Sequence, residues 1–183
     1  MKQQSKKILG EERRELILKW LMDKEQPITG THLASKTNVS RQVIVQDISL
    51  LKARNYPILA TAQGYVYMKE QTKTNFVSKV VACKHLPEQT EDELNIIVDF
   101  GGIVKDVVVE HPVYGDLTAS LMLRNRRDVK EFITRMATTK AALLSQLTDG
   151  VHLHTIEARN ISILEEICQA LEEAGFLLKA EDS

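Results

Sequence analysis

Cysteine is nearly missing from this 183-residue chain: there are two, Cys83 and Cys168, far apart and each inside an apolar pattern. That usage excludes a disulfide scaffold and reads as buried reduced thiols. Proline and glycine are scarce as well, at four and eight residues, while 43% of the chain is apolar. A disordered polyampholyte is thereby excluded, and a globular core is affordable in composition. Aromatic residues make up only 5%, too few for rows of base-stacking platforms, which counts against single-strand RNA binding. No apolar run approaches the roughly 18 residues a membrane span requires, and Met1 to Gly10 has no apolar stretch to act as a signal peptide. The chain reads as a soluble, cytoplasmic protein with no membrane partner.

Net charge is almost absent too, at −1, but that balance hides a split. Residues 1–68 carry 11 basic and 6 acidic side chains, a net +5, and residues 69–183 carry 13 and 19, a net −6. A basic first third followed by an acidic remainder implies two domains with different partners. The patternless stretch KEQTKTN at 69–75 is the expected linker, separating a domain over 1–68 from one over 76–183.

Helical periodicity over Glu11 to Lys24 places Leu16, Ile17, Trp20 and Leu21 on one face, and Pro27 interrupts it. Thr29 is suited to cap a short helix, Asn38 to reverse the chain in a left-handed conformation, and Ser40 to cap a third helix over Arg41 to Arg54. Two short strands, Tyr56 to Ala60 and Gly64 to Met68, complete a wing. On the third helix Ile44, Ile48 and Leu51 face inward, leaving Arg41, Gln42, Val45, Gln46 and Ser49 on the opposite side. Arginine pairs with guanine, glutamine with adenine, and valine meets the thymine methyl, so that face suits the major groove of duplex DNA. Thr31, Ser40 and Lys36, with Lys52 and Arg54, would meet phosphates. A merely solvated helical face is the competing reading, and the basic arm Lys2, Lys6 and Lys7 adds weaker support. The stretch LASKTNVSRQVIVQDISLLKARNYPI resembles the winged helix-turn-helix of many bacterial regulators, including the amino-terminal domain of bifunctional biotin ligases.

Beyond residue 76 the pattern alternates: strands at Phe76 to Lys84, Val104 to Glu110, Leu117 to Leu123, Leu143 to Leu147 and Val151 to Glu157, and helices at Thr90 to Phe100, Arg127 to Thr138 and Ile161 to Ala174. That order, βαββαββα, gives a two-layer α/β sandwich with helices on one face of a sheet, and with the winged helix an α+β chain. His152 and His154, at i and i+2 on a strand, project from one face roughly 7 Å apart. His85 closes the first strand of this domain and Glu93 lies in the first turn of the helix that follows. Three imidazoles and a carboxylate suit Zn²⁺ or Ni²⁺ and not Ca²⁺ or Mg²⁺. A solvated or hydrogen-bonded histidine pair is the alternative.

The segments KHLPEQTEDEL, VEHPVYGDL and GVHLHTIEA resemble the signature of the 3H domain, which follows a winged helix in niacin-responsive repressors of Gram-positive bacteria. That resemblance spans Phe76 to Leu178. It implies an HPr-like architecture with a mainly antiparallel sheet, a homodimeric repressor of NAD-synthesis or niacin-uptake genes, nicotinic acid as co-repressor, and a bound metal held by His85, Glu93, His152 and His154. His111 would line the effector pocket, and Arg159, for which an ordinary surface role is the competing reading, could pair with the effector. Two other readings stay open: the ion itself is the signal, or the domain is a metalloenzyme on a nicotinamide-like substrate, with Glu93 or His111 as base.

Overall fold

The structure, a computed structural model, describes residues 9–68 and 76–178. The stretch 69–75, expected to be a linker, and the arm Lys2, Lys6 and Lys7 lie outside the described residues. The chain divides into two compact units, 1–72 and 73–183.

In the first unit, helix α1 spans Gly10–Asp23, with Glu11 and Glu12 in its first turn, where the helix dipole favours negative charge. The Thr29 hydroxyl accepts the His32 N–H at 3.2 Å and caps helix α2, Gly30–Thr37. Asn38 follows at φ 51°, ψ 48°, a left-handed conformation that a short polar side chain tolerates. The chain thereby turns, and Ser40, whose hydroxyl accepts the Val43 N–H at 3.4 Å, opens helix α3, Arg41–Ala53. Ile17 and Leu21 of α1, Leu33 of α2, and Ile44, Ile48 and Leu51 of α3 meet in one core. Strands β1 (Ile58–Thr61) and β2 (Gly64–Tyr67) pair antiparallel as the wing.

Two features of this unit differ from the periodicity reading. Ile28, directly after the interrupting Pro27, pairs with Tyr65: its N–H donates to the Tyr65 carbonyl at 3.0 Å, and its carbonyl accepts the Tyr65 N–H at 2.9 Å. The wing is thus tied to the residue just before α2. The second feature is Asp47, which lies on the inward face of α3, buried, with Arg13 of α1 donating to it at 2.6 and 3.2 Å and Arg14 at 3.1 Å. A two-pronged, desolvated ion pair sets the third helix against the first as specifically as the aliphatic contacts do.

In the second unit, β3 (Val77–Lys84), β6 (Val151–Ala158), β4 (Ile103–His111) and β5 (Gly115–Leu123) lie side by side in that order, all antiparallel. Leu177 adds a short bridge beside Cys83 at the β3 edge. Alternation sends Val81 and Cys83 of β3, and His152, His154, Ile156 and Ala158 of β6, to one buried face. Helices α4 (Thr90–Asp99), α5 (Arg126–Thr139) and α6 (Ile161–Glu173) are the helical layer of this unit, α4 packing on β4 and α6 on β3 and β6. Leu94, Ile97 and Val98 of α4 and Leu164, Ile167 and Leu171 of α6 supply most of the helical share of that core, whereas α5 fully buries Val129 alone.

The strand expected at Leu143 to Leu147 is a correction. Leu144–Thr148 is a 3₁₀ turn, so among the described residues this domain has four strands and not five. Leu143, Leu144 and Leu147 are spaced by one and three, which is helical spacing and not alternation, and the Gln146 side chain accepts the Leu143 N–H at 2.9 Å to close the turn.

The buried ion pair sets a stability expectation. Asp47→Ala, which removes the buried carboxylate that Arg13 and Arg14 share, is expected to cost about 3–5 kcal/mol in chemical denaturation of the first unit. The paired apolar replacement Arg13→Met with Asp47→Leu should recover most of that loss; equal losses for the single and paired variants would show that the charge pair is not what holds α3.

Candidate functional site

The four residues expected as metal ligands come from three separate elements. The β3–β6 register sets Cys83 opposite His152 and Val81 opposite His154, with both imidazoles on the helix-covered face. His85 lies just past the end of β3, and Glu93 sits on the first turn of α4. Gly150, at φ 89° before β6, lets the chain pass so close to the His85 carbonyl that a Cβ there would collide with it. That close approach brings His85 beside His152.

Three imidazoles converge on one carboxylate. Glu93 is fully buried, and Nε2 of His85 lies 2.7 Å from its Oε2, Nε2 of His152 3.3 Å from both carboxylate oxygens, and Nε2 of His154 3.4 Å from Oε2. Each ring's other nitrogen faces a backbone carbonyl: Nδ1 of His85 meets Leu86 O at 2.8 Å, that of His152 meets Gly150 O at 2.8 Å, and that of His154 meets Asp106 O at 2.6 Å. A carbonyl oxygen can only accept, so every Nδ1 carries the proton and every neutral ring turns its Nε2 lone pair toward Glu93. A break in the β4 ladder between Val104 and Asp106 lies at the point where Asp106 offers its carbonyl to His154.

Three lone pairs and a carboxylate facing one another require a cation. Burial alone would raise the Glu93 carboxyl, but the bonds and charges of His152, His154 and His85 outweigh it and hold that group well below the usual carboxylate range. Burial likewise pulls His85 and His154 down, and the Glu93 carboxylate more than offsets it, leaving both raised. Protons on Nε2 meet the demand in one way; a borderline divalent cation meets it with all four donors at once. The donor chemistry therefore fits Zn²⁺ or Ni²⁺, and the carbonyl-anchored Nδ1 atoms are the outer-shell bonds that orient metal-binding histidines.

Cys83 went unnoticed as part of this cluster. Its sulfur lies within 4.8 Å of ligand atoms of both Glu93 and His152. Burial first, then the Glu93 charge and hydrogen bond, push its thiol far above the ordinary range, so it stands as a neutral donor beside the carboxylate. The only signal in the sequence was its strand position, two residues before His85.

A cavity of about 160 Å³ opens on the cluster, with His85, Glu93, His152 and His154 at one end and Leu121, Phe132, Met136 and Leu144 among its walls. Neither residue expected at the effector borders it. His111 ends β4, and its Nδ1 accepts the N–H groups of Val113 and Tyr114 at 3.2 and 3.3 Å in the hairpin turn. Arg159 is exposed just past the end of β6. The hairpin geometry and the strand end carry both away from the cavity, so the structure does not bring them to the centre.

The expected DNA-reading residues fall on the outer side of α2 and α3. Thr31, Lys36, Ser40, Arg41, Gln42, Gln46 and Ser49 are exposed and Val45 is half-buried. Some are already engaged: the Ser49 hydroxyl donates to Val45 O at 2.8 Å, and the Lys36 ammonium lies 4.3 Å from the centre of the Trp20 ring. Arg54 bonds Glu11 at 2.7 Å, which ties it to the bundle. Arg41, Gln42 and Gln46 form the polar face along one side of α3.

Comparison with known proteins finds two domain families in the chain. Residues 13–66 match the HTH domain and residues 78–180 match the 3H domain. The chain is 56% identical over 174 residues to Transcription repressor NadR of Bacillus subtilis, covering 94% of this chain and 97% of that protein. It is 40% identical over 173 residues to Probable transcription repressor NiaR of Thermotoga maritima, again covering 94% and 97%.

Gly150→Ala should displace His85 and lower divalent-metal affinity by about 10- to 100-fold, the scale of lost outer-shell support, in a calorimetric titration. Gly115→Ala is the control: its φ of 70° carries the same backbone strain, but nothing lies within 4 Å of the added carbon. Equal metal affinity in the two variants would remove close packing at Gly150 as the reason His85 reaches the centre.

Proposed function

The chain belongs to the family of transcription repressors that join a helix-turn-helix to a 3H domain, and from that premise we propose that it represses genes of NAD biosynthesis or niacin uptake, with nicotinic acid as co-repressor. The observation that carries the sensing half is the convergence of three carbonyl-anchored imidazoles on buried Glu93. His85, Glu93, His152 and His154 hold a divalent transition ion, Zn²⁺ or Ni²⁺, which when bound supplies a Lewis-acidic point of attachment for a small anion. The protein's own part is to aim Nε2 of each ring at one point, with each Nδ1 committed to a backbone carbonyl, and to hold the site away from bulk water.

The DNA half rests on α3. Arg41, Gln42, Val45, Gln46 and Ser49 face the major groove and read base edges, while Thr31, Lys36 and Ser40 meet phosphates and set the register. The protein acts as a homodimer whose two recognition helices meet half-sites about one DNA turn apart. Nicotinate shifts operator affinity only by preferring one conformational state of that dimer over the other. Two relatives named as transcription repressors support this reading over a metalloenzyme. Glu93, engaged by all three imidazoles, is moreover a poor free base.

An operator titration tests the proposal. Nicotinate is expected to strengthen operator binding of the metal-loaded protein about 5- to 150-fold, a coupling of roughly 1–3 kcal/mol, and a chelator should abolish the response. Unchanged affinity with nicotinate present sinks the co-repressor reading. Operator binding that follows metal alone would make the ion the signal. Arg41→Ala should cost about 1–3 kcal/mol and relax the preference at one base pair, whereas equal weakening on all sequences would make Arg41 a phosphate contact.

A further inference from the structure

Thr90, the first residue of α4, lines the cavity beside the imidazole cluster, is 8% exposed, and its hydroxyl oxygen has no hydrogen-bond partner. A buried hydroxyl left unsatisfied is a cost a fold rarely carries without a ligand, ion or water to relieve it. The rest of the wall tells what would relieve it. At about 160 Å³ the cavity is of the size that holds one benzene ring, and Leu121, Phe132, Met136 and Leu144 offer that ring an apolar, polarizable bed. Glu93 is the sole charged residue among its lining, apart from the histidines. With a divalent ion on Glu93 and three neutral imidazoles, that end of the cavity carries a net positive charge in a dry setting, which an anionic ligand neutralises and a neutral one does not.

Within the effector reading proposed above, we propose that the Thr90 hydroxyl lining this cavity is a hydrogen-bond group that the effector's carboxylate requires for tight binding. The ring lies among Leu121, Phe132, Met136 and Leu144, and its carboxylate is balanced by the loaded centre, so that no arginine is needed. Arg159 and His111 accordingly take no part. This inference rests on the reading that the four-residue centre holds a divalent metal and that nicotinate is sensed by this domain.

Calorimetry on the full chain loaded with Zn²⁺ separates the parts, using nicotinate and nicotinamide as probes. Metal affinity is measured first, because it reports the centre independently of the pocket. Thr90→Val, which keeps shape and removes the hydroxyl, is expected to weaken nicotinate binding about 10- to 100-fold, the worth of a hydrogen bond to a charged group. Metal affinity should stay unchanged, Thr90→Ser should restore nicotinate binding, and Arg159→Ala should bind it like the parent. Filling the cavity with Ala119→Leu should abolish nicotinate binding and leave metal bound. Nicotinamide should bind the parent at least about tenfold more weakly than nicotinate, as expected when a charge is left unbalanced. Metal binding with nicotinate affinity unaltered by Thr90→Val and Ala119→Leu overturns the pocket while leaving the metal centre standing. Loss of nicotinate affinity in those variants in a protein that binds no metal overturns the metal reading and supports the pocket.

Discussion

A fully buried carboxylate is the constraint on which the second unit of this protein depends. Glu93 sits at the start of α4 beneath a sheet, where an ionised group without partners would be strongly disfavoured. Three imidazoles satisfy it, and each is in turn committed by a backbone carbonyl from a different place: Leu86 after β3, Gly150 before β6 and Asp106 at the irregular point of β4. The arrangement of β3, β4, β6 and α4 is thereby coupled through one oxygen pair. Movement of any of these elements by an ångström disturbs the others.

Weak packing is placed where a ligand would use it. Helices α4 and α6 bury several aliphatic side chains each, whereas α5 fully buries Val129 alone and turns half-buried Phe132 and Met136 toward the cavity. The segment after α5 closes the same cavity through Leu143 and Leu144. Elements that bury little apolar surface are the ones whose position a small ligand is able to bias. The DNA-reading unit has the opposite character. Arg13 and Arg14 on Asp47, together with the Ile28–Tyr65 bridge, hold helices and wing in one relation, so its exposed face on α3 is presented by a rigid support.

Much of the fold was legible because short-range chemistry decides it. Thr29, Asn38 and Ser40 announce a cap, a left-handed turn and a second cap, and each does that in the structure. Phe76 to Lys84 and Val151 to Glu157 read as strands, as β3 and β6 are, and the His-x-His spacing placed two rings on one face of β6. The run Leu143 to Leu147 reads as a strand, but its leucines have helical spacing, and the 3₁₀ turn follows that spacing. Asp47 was invisible as a buried residue, since only its pairing with an arginine 34 positions earlier permits burial. Cys83 and Thr90 were unremarkable by type; what distinguishes them is position, a thiol beside Glu93 and a hydroxyl with no partner.

The sequence by itself determined the caps, the periodicities, the charge division and the identity of the donors, because each depends on residues a few positions apart or on composition. Only the tertiary structure decided which donors meet. His85 and His152 are 67 positions apart in sequence, and the β3–β6 register together with a glycine that admits close approach brings their rings to 4.9 Å. The same long-range packing left His111 in a hairpin turn and Arg159 at an exposed strand end, although as residue types both suit an anionic ligand. Local chemistry specifies what a side chain can do; the register of a sheet specifies what it can reach.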